Sequence, residues 1–297
     1  MENRTVYALG FFDGVHLGHR ALLRECRSLA DRLGCKAGAV TFDRHPAALM
    51  GGAPKLVNTV QTRTALLKEA GMDTVCVLPF DDRLMHTPWQ VFFDRLLGEF
   101  GACGLVCGDD YRFGARGEGN AELLKEACSS RGVPCVVVPE KQLKGVRVSS
   151  SHIRGLIEGG EMAEAVSFLG HPHVIAGTVV EGKQLGRTIG IPTANLLLPE
   201  AVVCPRFGVY ACKASVDGKE YLAVTNVGVR PTVSGSGITV EPWLLDFEGD
   251  LYGKHLTLEL HRFLRPEKTF ATLPELKAEI QKNACQTREY FENLKKN

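Results

Sequence analysis

No apolar run in this chain approaches the ~20 residues that a membrane-spanning helix requires. Nor does one sign of charge prevail: 35 Lys and Arg stand against 34 Asp and Glu, a formal net charge of +1. These two absences exclude an integral membrane helix and leave no global field for nucleic acid or an anionic membrane surface. The start, Met-Glu-Asn-Arg, leads straight into a strand-like run with no secretory apolar segment. Ten cysteines are present, yet none forms a Cys-x-x-Cys pair, and Cys103 and Cys107 stand four apart in a strand-like run. Zinc and disulfides are therefore not expected; the thiols read as small reduced hydrophobes of a cytoplasmic protein. Internal repeats and low-complexity segments are missing too. What the chain does have is length and apolar content: 297 residues, 44% hydrophobic. At roughly 100–200 residues per domain, that predicts two packed cores.

From Thr5 to about Val138, β-branched apolar runs (Thr5–Leu9, Cys35–Phe42, Thr74–Leu78, Leu105–Cys107, Cys135–Val138) alternate with amphipathic stretches. The stretches lie near Leu17–Leu33, Thr62–Ala70, Trp89–Phe100 and Ala121–Ser130. The alternation predicts a parallel, doubly wound α/β sheet with ligands beyond the carboxyl ends of its strands. A short helical stretch from Gly159 ends at Gly170-His-Pro172, and there the pattern changes. Serial strand-like runs (Val174–Val180, Ala194–Leu198, Val209–Val216, Tyr221–Val227, Ile238–Phe247, His255–Phe263) precede a helix over Pro274–Leu294. The expectation is an α/β domain over 1–158, a helical connector over 159–171, and a mostly antiparallel β-barrel or sandwich with a C-terminal helix over 172–297.

The first half turns on Gly10-Phe-Phe-Asp13-Gly-Val-His16-Leu-Gly18-His19, which follows the first strand and opens a helix with Leu22, Leu23, Cys26, Leu29 and Leu33 on one face. Free N–H groups and the positive end of the helix dipole favour an anion there. Gly18 lets a phosphate approach the backbone, and His16 and His19 can donate hydrogen bonds, adding charge when protonated, where negative charge grows. Two helix-capping histidines are the plainer reading. In its strand–turn–helix setting, His-x-Gly-His resembles the nucleotidyltransferase superfamily, which binds ATP. Thr41-Phe-Asp43-Arg-His45-Pro closes the second strand, where Asp43 and His45 could face a nucleotide or its metal, or form an ordinary strand exit. Gly108-Asp109-Asp110-Tyr111-Arg-Phe113-Gly114 closes the fourth. Its carboxylates alternate, so one faces the crevice, and Tyr111 or Phe113 could lie against a flat ring, or simply anchor a polar loop. In Val148-Ser149-Ser150-Ser151-His-Ile-Arg154 the hydroxyls can cap a helix or donate to phosphate, and Arg154 can fork onto one.

Taken in order, these motifs resemble the adenylyltransferase half of the bacterial bifunctional riboflavin kinase/FAD synthetases, with Tyr111 where that family usually has Phe. The second half carries the remaining motifs. Gly177-Thr-Val-Val-Glu-Gly182-Lys183-Gln184 is not a P-loop: Gln184 replaces the metal-binding hydroxyl, and Gly186, Gly190 and Pro192 break any following helix. The run from Gly182 through Gly186-Arg187 to Pro192-Thr193-Ala-Asn195 reads instead as a flap over phosphates entering a strand. Thr193 and Asn195, two apart, point the same way, and with ATP phosphates and waters their oxygens suit Mg2+. With Gly208-Val-Tyr210, Asn226-Val-Gly-Val-Arg-Pro-Thr232, Val240-Glu241 and Asp250-Leu-Tyr-Gly253, this half is similar to the riboflavin kinase domain.

The resemblance implies a nucleotidyltransferase (Rossmann-like) domain followed by a Greek-key barrel. It implies riboflavin, FMN and ATP as substrates, Mg2+ as cofactor, and neither nucleic acid nor membrane as partner. It implies His16, His19, Arg154 and the base Glu241 as catalytic residues. Gly10, Phe11, Asp13, Gly18, Ser149, Ser150, Ser151, Gly182, Gly186 and Arg187 would bind nucleotide, Asp110, Tyr111 and Phe113 flavin, and Thr193 and Asn195 the metal. Pro242-Trp243 departs from the family, which often has a small residue and then His. That departure leaves open a single-activity FAD synthetase with a flavin-binding but inactive barrel. A non-catalytic flavin sensor conflicts with the intact His16, His19, Thr193 and Asn195. An aminoacyl-tRNA synthetase relative would need a lysine-rich signature loop and a basic surface, and neither is visible.

Overall fold

The computed structural model describes residues 4–181, 190–232 and 235–296. The chain forms two compact units, Met1–His152 and Ile153–Asn297.

In the first unit β1 (Thr5–Leu9) lies at the centre of a parallel sheet, and every one of its residues is buried. A strand covered on both faces needs such a continuous apolar run. The chain then builds outward through α1 (Leu17–Leu33), β2 (Lys36–Phe42), α2 (Val60–Glu69) and β3 (Thr74–Leu78). After α3 (Asp82–Met85) and α4 (Trp89–Gly98) it crosses to the other side of β1 as β4 (Ala102–Gly108). Two short strands follow, β5 (Arg112–Phe113) and β6 (Gly119–Asn120), then α5 (Ala121–Ser130) and β7 (Cys135–Val138), so the sheet reads β3-β2-β1-β4-β7. The change of direction between β1 and β4 opens a crevice at the carboxyl ends of these strands, where ligands of such sheets bind. A hairpin of β8 (Gln142–Leu143) and β9 (Val146–Arg147) leads into α6 (Ser150–Gly159), which runs across the division between the units.

α1 shows why its sequence is helical. Leu22, Leu23, Cys26, Leu29 and Ala30 fall on one buried stripe, and Gly34 ends the helix in the left-handed conformation at φ 61°.

The second unit continues with α7 (Met162–Leu169) and six antiparallel strands: β10 (His173–Thr178), β11 (Leu196–Leu197), β12 (Gly208–Val216), β13 (Lys219–Thr232), β14 (Gly235–Leu244) and β15 (His255–Arg265). Their order is β10-β15-β12-β13-β14-β11. β12, β13 and β14 are successive hairpins, and β15 returns beside β12, which is the Greek-key arrangement. A bridge between Val180 and Asn195 ties the two ends of the sheet, so the barrel is nearly closed. The final helix, α8 (Leu273–Lys296), buries Ala284, Thr287 and Phe291 and packs on β12 and β13. Among the described residues no helix is long and apolar enough to cross a membrane.

Candidate active sites

The turn after β1 is the most constrained segment of the first unit. Phe12 (φ 58°), Gly14 (φ 79°) and Val15 (φ 42°) all adopt positive φ. For a bulky and a β-branched residue that is a strained backbone, costing on the order of 1–3 kcal/mol each, and such strain persists only where neighbours over-determine it. Three separate segments do so. Thr41 donates its hydroxyl to the Phe11 carbonyl at 2.8 Å, Val57 N–H donates to the Asp13 carboxylate at 2.8 Å, and Ser150 donates to the Asp13 carbonyl at 2.9 Å. The turn hands the chain to α1 through His16, whose Nδ1 accepts the His19 N–H at 3.3 Å. A neutral imidazole that accepts at Nδ1 carries its proton on Nε2, leaving His16 a donor on its far side. The His16 and His19 rings stack at 3.6 Å between centroids, 14° from parallel. A side chain at Gly18 would press on the His16 ring, with Cβ only 3.2 Å from its atoms.

His19 is half-buried, and its Nδ1 is enclosed without a hydrogen-bond partner. Burial first, then the His16 ring and the Arg63 guanidinium, hold its pKa well below the usual histidine range. His19 is thus a neutral imidazole at pH 7, and the positive charge beside it comes from Arg63. The sequence reading passed over Arg63. It lies on α2 in register with Leu66 and Leu67, and an arginine inside the apolar stripe of a helix was the signal available. Its guanidinium stacks on the Phe11 ring at 4.3 Å and donates to the Phe42 carbonyl. Burial lowers its pKa to about 10 while Asp13 and Asp43 pull it up, so it stays charged at neutral pH.

The other singled-out residues divide. His45 meets the Phe11 ring edge-on at 5.0 Å, which puts it beside this cluster. Asp43 accepts the Phe80 N–H at 2.8 Å and pairs with Arg44. Ser149 caps α6 by accepting the His152 N–H at 3.3 Å, and Ser151 is exposed. Arg154 stands one turn after Ser150 on the same helix. At the end of β4, Tyr111 stacks on Phe113 at 5.4 Å, while Phe113 itself is buried against Trp89 and Phe92. Asp110 turns outward to pair with Arg147 at 2.7 Å, and Asp109 accepts the Glu140 N–H. β4 neighbours β1, so this loop and the His-x-Gly-His turn leave the carboxyl ends of adjacent strands.

In the second unit a cavity of about 280 Å³ is lined by Thr193, Asn226, Glu241, Trp243 and Asn283, among others. Register brings these groups together: Asn226 pairs with Glu241 across β13 and β14, and Glu241 and Trp243, two apart, share a face. Thr239 donates its hydroxyl to the Glu241 carboxylate at 3.3 Å. The β13–β14 ladder runs from Ala223–Leu244 to Thr232–Gly235 without a shift, straight through Pro242 and Trp243. Pro242 costs no bond on its acceptor side, because its carbonyl takes the Ala194 N–H at 2.9 Å. Thr193 also borders a second cavity, of about 320 Å³, between Val179, Phe247 and Asp250-Leu-Tyr252. Asn195 is buried. Gly182, Gly186 and Arg187 lie outside the described residues.

A strained turn with paired histidines at the switch point of a parallel sheet, joined to a Greek-key barrel with a carboxylate in its cavity, defines a two-site, nucleotide-handling transferase. Two family models account for the chain: FAD synthetase over residues 1–152 and Riboflavin kinase over 169–291. The bifunctional riboflavin kinase/FMN adenylyltransferase of Escherichia coli K12 is 39% identical over 98% of this chain and 94% of its own. That of Listeria monocytogenes is 33% identical over 97% and 93%. A solved Streptococcus pneumoniae structure, described as a macrolide-efflux protein, superposes with a TM-score of 0.86 at 29% identity, covering 97% of this chain and 95% of that one. The chain belongs to the bifunctional riboflavin kinase/FMN adenylyltransferase family.

Proposed function

We propose that the barrel unit phosphorylates riboflavin to FMN with ATP, and that the α/β unit joins FMN to the AMP of a second ATP, giving FAD and pyrophosphate. The observation that carries this reading is the presence of both sites in one chain: the histidine pair on its braced turn, and Glu241 held in register on the barrel cavity. In the first step the ribityl 5′-hydroxyl oxygen attacks the γ-phosphorus, ADP leaves, and Glu241 takes the hydroxyl proton. Asn226, opposite Glu241, and Trp243, on the same face, would hold the flavin, with Thr193 between that cavity and its neighbour, which would take the nucleotide. Thr193 and Asn195 offer a hydroxyl and an amide oxygen, a donor set that fits a hard cation. Mg2+ bound there would neutralise phosphate charge.

In the second step an FMN phosphate oxygen attacks the α-phosphorus and pyrophosphate leaves, with no covalent enzyme intermediate. His16, through its Nε2–H, and His19 would donate to oxygens that gain charge, Gly18 and the helix N-terminus would admit the phosphates, and Arg154 would fork onto one. Gly10, Phe11, Asp13 and the Ser149–Ser151 hydroxyls would frame the nucleotide, and Tyr111 and Phe113 would frame the flavin. The division of labour would fall at 1–158 and 172–297, with 159–171 a helical connector in a cytoplasmic enzyme. The single-activity alternative is not favoured, because the ladder passes Pro242-Trp243 in register.

The test is incubation with riboflavin, ATP and magnesium, followed by chromatographic separation of the flavins. FMN and FAD together are expected. FAD formed only from supplied FMN would restore the single-activity reading, and no turnover would leave a flavin-binding protein.

A further inference from the structure

Arg63 is buried at a cost that its visible contacts do not repay. Its side chain is 0% exposed, yet Nε and Nη1 have no hydrogen-bond partner, and its one described hydrogen bond goes to the Phe42 carbonyl. A charge removed from water is expensive unless fully paired, and replacing such a charge with an apolar side chain of similar volume is often neutral or stabilising. The interior of α2 would accept methionine at this position. The stripe that Arg63 shares with Leu66 and Leu67 asks only for an apolar residue.

What surrounds the guanidinium is the phosphate-binding turn. Its plane covers the ring of Phe11, the second residue of that turn, and its hydrogen bond fixes the last residue of β2. The charged and titratable groups facing it come from three elements: Asp13 in the turn, Asp43 at the exit of β2, and His19 at the start of α1. His19 in turn faces His16 on its own segment and Arg63 on α2. One buried cation therefore touches the ring that leads into the strained backbone and lies within electrostatic reach of the second histidine.

We propose that Arg63 is a positioning residue for adenylyl transfer: it clamps Phe11 and the end of β2 so that the His16–His19 pair is aimed, and it sets a fixed charge beside His19. This deepens the adenylyltransferase reading above and rests on it. Arg63 acts through Phe11 and His19 and is not itself a contact to substrate. The low pKa of His19 accords with this arrangement.

The experiment uses the full chain and three variants, Arg63→Met, Arg63→Gln and Arg63→Lys. FAD formation from FMN is measured against pH, FMN formation from riboflavin is followed in parallel, and thermal unfolding is recorded. For Arg63→Met a fall of about 10–100-fold in kcat is expected, the scale of misaligned catalytic groups. KM should change little and the melting temperature should not fall. The acidic limb of the FAD-forming profile should move to higher pH, because His19 gains its proton more easily without the cation beside it. Arg63→Lys should return the limb to its wild-type position and recover part of kcat. A residue that merely fills the core would not produce this charge-dependent shift. If Arg63→Met does not fold, Arg63→Gln, which can still donate to the Phe42 carbonyl, must show the same limb shift. Wild-type kcat and an unmoved limb in either folded neutral variant overturn the proposal, as does failure of all three variants to fold. Absence of FAD formation by the wild-type chain would sink the adenylyltransferase reading itself, which is a different result.

Discussion

The two units assemble their chemistry by opposite routes. In the barrel, Asn226 and Glu241 face each other because β13 and β14 form one hairpin in register, and Trp243 joins them two residues on. In the α/β unit, the groups around His16 and His19 come from Thr41, Val57, Arg63 and Ser150, each on a different segment. A parallel sheet cannot bring neighbours together through tight turns, since each return needs a crossover, so its site is gathered from distant loops and helices. The consequence is a difference in coupling. The barrel site is a local product of strand pairing around a cavity of about 280 Å³. The histidine site is a strained turn that stays in place only while several segments hold it.

The largest expected effect tests the barrel half of this contrast. Glu241→Gln keeps size and hydrogen-bonding capacity but cannot take a proton at neutral pH. FMN formation should fall by roughly 100–10,000-fold, while riboflavin binding, followed by fluorescence quenching, stays near wild type and FAD formation from supplied FMN is unchanged. Surviving turnover would show that a water or another group accepts the proton. The counterpart is His16→Ala or His19→Ala, for each of which FAD formation from FMN should fall roughly 100–1000-fold, the usual effect of losing one preorganised donor. Riboflavin phosphorylation should not change. Near-normal adenylyl transfer would remove the pair from the mechanism.

How much could be read in advance follows the same division. The helix over Leu17–Leu33 and the five-strand alternation were legible because burial on one or both faces writes a strong period. β13 and β14 extend further than Tyr221–Val227 and Ile238–Phe247 suggest at their facing ends, reaching Thr232 and starting at Gly235. Mutual hydrogen bonding carries a hairpin past the end of its apolar pattern. The two-residue strands at Arg112–Phe113 and Gln142–Leu143 carry too little pattern to be seen. Among the proposed site residues, His16, His19 and Glu241 sit in recognisable local contexts. Arg63 does not: the role proposed for it rests on a long-range stack on Phe11, and α2 alone cannot reveal that. Nor does the motif reveal the charge state of His19, which is set by its burial beside a second histidine and an arginine.

A smaller effect probes the metal site proposed for the barrel. Thr193 borders both cavities, and Asn195, two residues on, is buried. Thr193→Ala or Asn195→Ala should raise the magnesium needed for half-maximal FMN formation by about 10-fold or more, the scale on which even supporting groups change metal affinity. Added magnesium should partly restore the rate, and FAD formation from FMN should keep its wild-type magnesium dependence. Superimposable titrations of variant and wild type would refute the assignment.

The smallest effect leaves both rates at pH 7 untouched and concerns His173 on β10. This side chain is 0% exposed and neither ring nitrogen has a hydrogen-bond partner. Burial, and secondarily the nearby His171, bring its pKa down to about 3. The folded-state pKa thus lies below the unfolded value of about 6.5, so the unfolded chain takes up the proton first as pH falls. The stabilising contribution is complete above about pH 6.5 and is lost progressively towards pH 3. At pH 5 that loss is about 2 kcal/mol, from roughly 1.5 pH units at 1.36 kcal/mol each. His19 shifts in the same direction, so the first unit is acid-sensitive as well, and the measurement must report on the barrel alone. The chain has two tryptophans, Trp89 and Trp243, so a Trp89→Phe background leaves the barrel residue as the fluorescent probe. In that background, the urea midpoints of His173→Phe and its parent should be compared at pH 7 and pH 5. The phenylalanine variant has no proton to gain, so the stability gap should move in its favour by about 2 kcal/mol on acidification. Parallel losses in both proteins would mean that the acid sensitivity of the barrel lies elsewhere.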